Sequence, residues 1–143
     1  MIAGAYPPKV DQSNKDHMKI VKAVQNIISS LQYTLPCSYC RQSYGRFIKQ
    51  LPAETYAGSR RSMMKWLYLL HDMINKKLIK QEKECFEIEK AKLLSKSKSV
   101  SPERMKKLKA GIIKTKPSPS FERVLAMYEK QRAGCSKRAK HCA

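Results

Sequence analysis

Cys37-Ser38-Tyr39-Cys40 stands directly behind Pro36 and opens an amphipathic stretch, with no strand pattern in front of it. A thioredoxin-type fold would set such a dithiol after a strand, within a βαβ unit. The pair must therefore sit in a helical frame. Elsewhere too, apolar residues recur at helical rather than alternating spacing: Ile20, Val21, Val24, Ile27, Ile28 and Leu31, then Tyr44, Phe47, Ile48 and Leu51. Glycine occurs only five times in 143 residues, which speaks against a sheet-rich or turn-rich fold. The expected class is all-α.

The punctuation divides the chain into helices. The first runs from Asp16 to Leu31, with Ser13 or Asn14 as N-cap, and the second from Cys37 to Leu51, stopped by Pro52. After a loop with Gly58 and Ser59, a longer helix from about Arg60 to Lys80 buries Met63, Met64, Leu67, Leu70, Ile74 and Leu78. A separate short helix carries Cys85, Phe86, Ile88 and Leu93. Ser95 to Ser101 alternates serine and lysine and reads as a linker. Ser101-Pro102 then starts another helix, serine as cap and proline at the first helical position. Lys116-Pro117-Ser118-Pro119-Ser120 breaks it, and Phe121, Val124, Leu125 and Tyr128 mark a last apolar stripe. The predicted organisation is a four-to-five-helix bundle over residues 1–94 and a basic linker with a partly helical extension over 95–143.

Charge is distributed unevenly. Residues 93–143 hold 14 Lys/Arg against three Glu, a net of +11, out of +19 for the whole chain. Such a field favours an acidic partner such as nucleic acid, and equally fits a solvated basic tail. No apolar run reaches the length of a membrane span, and Met1 to Val10 lacks a signal-peptide core. A soluble intracellular chain is expected, in which five cysteines do not make a structural disulfide framework.

Cys37 and Cys40 lie three residues apart on a helix, close enough to bridge. Cys37 also sits at the helix N-terminus, where unsatisfied N–H groups and the dipole favour a thiolate, the attacking species in disulfide exchange. Two other readings stand beside a redox role. Two buried inert thiols are one. A zinc site is the other, although no second Cys-x-x-Cys supplies the remaining ligands and Cys85 with His71 have unusual spacing. On the long helix, His71 and Asn75 point the same way. They form a hydrogen-bonded pair inside the bundle, or they line a cofactor pocket with the Trp66 ring nearby and Lys76, Lys77 and Lys80 meeting a phosphate.

Pro36-Cys37-Ser38-Tyr39-Cys40-Arg41, followed by Trp66-Leu67-Tyr68-Leu69-Leu70-His71-Asp72-Met73-Ile74-Asn75-Lys76-Lys77-Leu78, resembles the Erv/ALR-type FAD-linked sulfhydryl oxidases over roughly residues 5–90. The short form with a basic extension looks more like the versions from large DNA viruses, which would place it in host cytoplasm or virion. The resemblance implies a helical bundle around FAD, a homodimer, and electron flow from a protein dithiol through Cys37 and Cys40 to FAD and on to oxygen, giving hydrogen peroxide. Carried over, Cys37 exchanges with substrate, Cys40 faces the flavin, and His71 and Asn75 contact the adenine side. Tyr6, Trp66, Leu78 and Lys80 are further cofactor residues, and Cys135 with Cys142 are a candidate shuttle pair or two incidental tail cysteines.

Three departures from the family pattern stand out. The family's first helix, which brings a Trp and a His to the flavin, is expected to be truncated here, with Ala5-Tyr6-Pro7 similar to its end. Asp72 replaces the usual Asn. The position that would bridge to Cys85 holds Tyr68, so Cys85 is expected to be a free thiol. Two readings from other classes remain: a non-catalytic basic protein binding nucleic acid or an acidic partner, and a cysteine-based metal module.

Overall fold

The computed structural model describes the backbone of residues 2–96 and 99–138, and the side chains of 3–96 and 99–130. Among these residues the chain is all-helical, as expected. It comprises α1 (Lys15–Thr34), α2 (Ser38–Gln50), α3 (Arg60–Lys96), α4 (Pro102–Ile112) and α5 (Phe121–Arg138), with 3-10 turns at Ile2–Gly4 and Ala53–Tyr56. Contacts divide it into two compact units, residues up to Leu70 with those from Pro119 onward, and residues 71–118. The basic C-terminal third thus falls partly in each.

In the first unit, α1 and α2 form a helical hairpin across the short link Leu35–Cys37. Asn14 caps α1, its side chain accepting from the N–H groups of Asp16 and His17. Val21, Val24 and Ile28 are the buried face of α1, and Tyr44 is the buried aromatic of α2. The Tyr44 hydroxyl donates to the Ile28 carbonyl at 2.8 Å, locking one helix to the other. Burial pushes its phenol up to about 12. Trp66, fully buried, donates its indole N–H to the Leu51 carbonyl that ends α2, at 2.8 Å.

The N-terminal segment is tied down by backbone-directed bonds. The Tyr6 hydroxyl donates to Ala57 O at 2.8 Å, Arg60 Nε donates to Tyr6 O at 2.6 Å, and Val10 N donates to Gly58 O at 2.9 Å. Helix α5 closes the unit with Phe121, Leu125 and Tyr128 buried. Phe121 meets the Tyr68 ring at 5.5 Å, and Lys65 Nζ lies 4.4 Å from its centroid. The Tyr128 hydroxyl comes so close to Gly4 that a Cβ there would lie 3.0 Å from it, so glycine suits that contact.

The second unit holds the rest of α3, α4 and an extended segment at 113–118. The two helices expected over 60–93 are one 37-residue helix. Nothing between Lys80 and Leu93 breaks it: no Gly or Pro occurs, and the stretch is rich in Glu and Lys. Ion pairs three and four residues apart run along it, Asp72–Lys76 at 2.7 Å, Lys80–Glu84 at 3.9 Å, Glu87–Lys90 at 3.3 Å and Glu89–Lys92 at 2.8 Å. Leu78, expected in the core, is 40% exposed. Ser101 caps α4 as the sequence predicts, accepting from Arg104 N, and Pro102 is its first residue. No side chain of α4 is buried.

The extended segment lies along α3. Glu82 accepts from Lys114 N at 3.0 Å, Thr115 N at 2.9 Å and Thr115 Oγ1 at 2.7 Å, while Asn75 Nδ2 donates to Ser118 Oγ at 3.0 Å.

Candidate functional site

Cys37 is the N-cap of α2, with extended backbone at φ −87° and ψ 121°. Its sulfur stands where a capping oxygen would, accepting the Cys40 N–H at 3.2 Å. Pro36 favours this entry, since the residue behind a proline begins a new element without continuing an old one. Both thiols are solvent-exposed and no disulfide joins them.

The Cys37 thiol is held below its ordinary value. The largest cause is a hydrogen bond from the Cys40 side chain, followed by the Cys40 backbone N–H, with smaller help from Tyr39 N–H and the Arg41 charge. These are the groups that stabilise a thiolate, as the sequence position suggests. Arg41 also orders the approach to the pair: its Nη1 donates to Leu35 O at 2.6 Å and to Pro36 O at 3.2 Å. That clamp is missing from any reading of the Cys-x-x-Cys motif alone.

The residues assigned to a flavin by resemblance fall into two groups. Tyr6 and Trp66 are fully buried in the first unit, with their polar atoms bonded to Ala57 O and Leu51 O. They present no face to a ligand in this state, and their contacts hold the fold together. His71, Asn75 and Leu78, in the second unit, share one face of α3 at helical spacing. His71 and Leu78 are exposed, and Lys80 is an exposed cation near Glu84. Asn75 does not pair with His71 inside a bundle; its amide is held by Ser118. Asp72 lies below the usual carboxylate range, first through Lys76 and then through Ser118. An exposed imidazole, an aliphatic side chain and an amide on one strip fit the edge and faces of an adenine. This strip is the exposed part of the set, and Tyr6 and Trp66 are its buried part.

Of the remaining cysteines, Cys85 is an exposed thiol on α3 without a disulfide. Cys142 lies outside the described residues, and Cys135 lies in α5 where only the backbone is described. Among the described residues, no three His, Cys, Asp or Glu side chains come together as a metal set. No helix among them is long and apolar enough to cross a membrane.

An all-helical chain with an exposed, thiolate-stabilised dithiol at a helix cap has the features of a helical thiol–disulfide oxidoreductase. The comparison with family models agrees: the Erv1 / Alr family model matches residues 1–93, and the chain belongs to that family. It is a family of sulfhydryl oxidases whose members typically bind FAD. No curated protein and no solved structure gives a significant match.

Proposed function

We propose that this chain is an FAD-dependent sulfhydryl oxidase that forms disulfides in protein dithiols, with Cys37 and Cys40 as its redox pair. The observation that carries this reading is the Cys37 sulfur at the α2 cap, stabilised as thiolate by the Cys40 side chain and N–H.

In the oxidised enzyme, a substrate thiolate attacks Cys37 Sγ, the Cys37–Cys40 bond breaks, and Cys40 leaves as thiolate. The second substrate thiolate then attacks the substrate sulfur of the mixed disulfide. The substrate disulfide forms and Cys37 departs as a thiolate that the Cys40 N–H receives, together with the Cys40 side chain once that thiolate has taken up a proton from solvent. A stabilised leaving thiolate departs faster, which is the use of the lowered Cys37 value. Bound FAD would accept the two electrons of the Cys37–Cys40 pair and pass them to oxygen, so that one substrate dithiol and one O2 give one disulfide and one H2O2. His71, Asn75 and Leu78 would hold the adenine side, with Lys80 near its phosphates. The bond to Ser118 uses one N–H of the Asn75 amide, which leaves its second N–H and its oxygen for the ligand.

The purified chain should therefore show an oxidised-flavin absorption band near one FAD per chain and consume oxygen with dithiothreitol, yielding peroxide. A colourless protein that takes up no added FAD would sink the reading. A second reading, nucleic-acid binding by the basic stretch 93–143, is favoured by α4, whose cations lie on a helix with no buried side chain. It predicts steeply salt-dependent DNA binding without flavin.

A further inference from the structure

On the outer side of α2, next to Gln32 of α1, lies a shallow open groove of about 480 Å3, lined by Gln32, Arg41, Gln42, Gly45, Arg46 and Lys49. Three of the six are cations, two are neutral amides, and none is acidic. The imbalance extends well beyond the groove. From His17 to Ala53, covering nearly all of α1 and the whole of α2, the chain holds Lys19, Lys22, Arg41, Arg46 and Lys49 and not one carboxylate. Among the described residues no carboxylate pairs with Arg41, Arg46 or Lys49, whereas Lys76, Lys80, Lys90 and Lys92 on α3 each have an acidic partner on the same helix. An unneutralised cation cluster in a concavity focuses its field on an anionic visitor.

We propose that this groove is the docking site for the substrate protein, and that it selects an acidic segment next to the substrate's reactive cysteine. The proposal rests on the oxidase reading above and adds a substrate class to it. Position argues for a peptide rather than an unrelated anion. Arg41 belongs to both sites: it lines the groove, and its guanidinium clamps the Leu35 and Pro36 carbonyls just before Cys37. From Cys40 to Lys49 the helix axis advances ~13 Å at its usual rise. An extended peptide covers that span in about four residues. Because Arg46 and Lys49 lie on the side of α2 turned away from Cys40, a substrate cysteine at Cys37 would meet them through carboxylates several residues further along, on a segment that passes Arg41 at the first turn of the helix. The side-chain amides of Gln32 and Gln42 are placed to bond the peptide backbone, as neutral groups do without adding charge selectivity.

The test uses the full chain and three dithiol peptides of equal length, carrying four Glu, four Gln or four Lys beside the cysteines. Oxidation of each is compared with that of dithiothreitol at low and high salt. The Glu peptide should show kcat/KM about 10-fold above the Gln peptide at low ionic strength, falling together at high salt as the field is screened. Arg46→Glu with Lys49→Glu should reverse the order of the Glu and Lys peptides; Arg46→Gln with Lys49→Gln, which leaves the exposed surface milder, should equalise them. Equal kcat/KM for the Glu and Gln peptides in the unaltered chain overturns the proposal.

A second measurement does not need turnover. A fluorescent Glu peptide with serines in place of its cysteines should bind with an affinity that falls in the charge-reversed variant. Unchanged anisotropy there overturns the proposal, as does a single-stranded oligonucleotide that binds more tightly with the same dependence on Arg46 and Lys49. Failure to oxidise any thiol, with peptide binding intact, would remove the oxidase reading and leave the groove. Oxidation of dithiothreitol without preference for Glu would do the opposite.

Discussion

The α1–α2 hairpin and helix α3 use the same basic residue types in opposite ways. Along α3 four lysines have acidic partners on the helix itself, in the pairs Asp72–Lys76, Lys80–Glu84, Glu87–Lys90 and Glu89–Lys92. In the hairpin the one ion pair is Asp16–Lys19 at its start, and beyond it the cations have no acidic partner among the described residues. Paired charges support a long solvated helix by a few tenths of a kcal/mol each. Unpaired ones contribute nothing to folding and repel one another. Their use is outward, toward a partner. The redox pair is carried by the region whose charges are left unpaired.

Four experiments would break or sharpen that contrast, the largest effect first. Cys40→Ser should abolish dithiothreitol turnover while the far-UV helical signal is retained; continued oxygen consumption would remove Cys40 from its role. Trp66→Ala, which empties the point where α3 supports the end of α2, should lower unfolding stability by about 3–5 kcal/mol. A denaturant midpoint unmoved by that change would mean the hairpin does not lean on Trp66. Next, Tyr44→Phe removes only the bond between the two hairpin helices and should cost about 1 kcal/mol by the same denaturation assay. Smallest of all, Glu84→Gln on α3 should change stability by less than about 0.5 kcal/mol, because its pair with Lys80 is exposed. A larger loss would show that the α3 ladder acts as a network.

Two titrations follow from the same groups. Cys37 is held below the ordinary thiol value, so its alkylation by iodoacetamide should reach half-maximal rate at a pH below that of a free thiol. Cys40→Ala removes the largest cause and should move the midpoint upward. Glu82 is also held low, through Thr115 first. A lowered carboxylate contributes fully above its unfolded value of about 4 and loses that contribution as pH falls through its folded value. The amide resonances of Lys114 and Thr115 should therefore shift together on acidification below the ordinary carboxylate range, and Glu82→Gln should abolish the transition.

Local features were legible in the sequence. The α1 cap at Asn14 and the α4 start at Ser101-Pro102 depend on neighbours within four residues and stand where expected, while Cys37, expected as the first residue of α2, is its N-cap. The continuity of α3 was not, because helical periodicity is a signal of apolar burial. Past Lys80 the helix buries Phe86 and is otherwise supported by Lys–Glu pairs, so the apolar stripe fades while the helix goes on. The candidate site shows the same split. The dithiol and its activation are local, whereas the commitment of Tyr6 and Trp66 to the core, and of Asn75 to Ser118, arises from contacts 15 to 51 residues apart. The groove is tertiary too, needing Gln32 of α1 beside α2. Its sequence trace is the carboxylate-free run from His17 to Ala53, which is visible without any structure.

The segment at 113–118 has one more consequence. Ser118 is, for Asn75, a ligand on a tether of 43 residues, kept near the amide by the bonds of Lys114 and Thr115 to Glu82 on the same helix. Any adenine that takes the same N–H of the Asn75 amide competes with this resident. Apparent affinity is then lowered by the fraction of time the amide is occupied, and rises when the competitor is weakened. On the oxidase reading, Ser118→Ala should therefore load FAD more tightly than the parent chain.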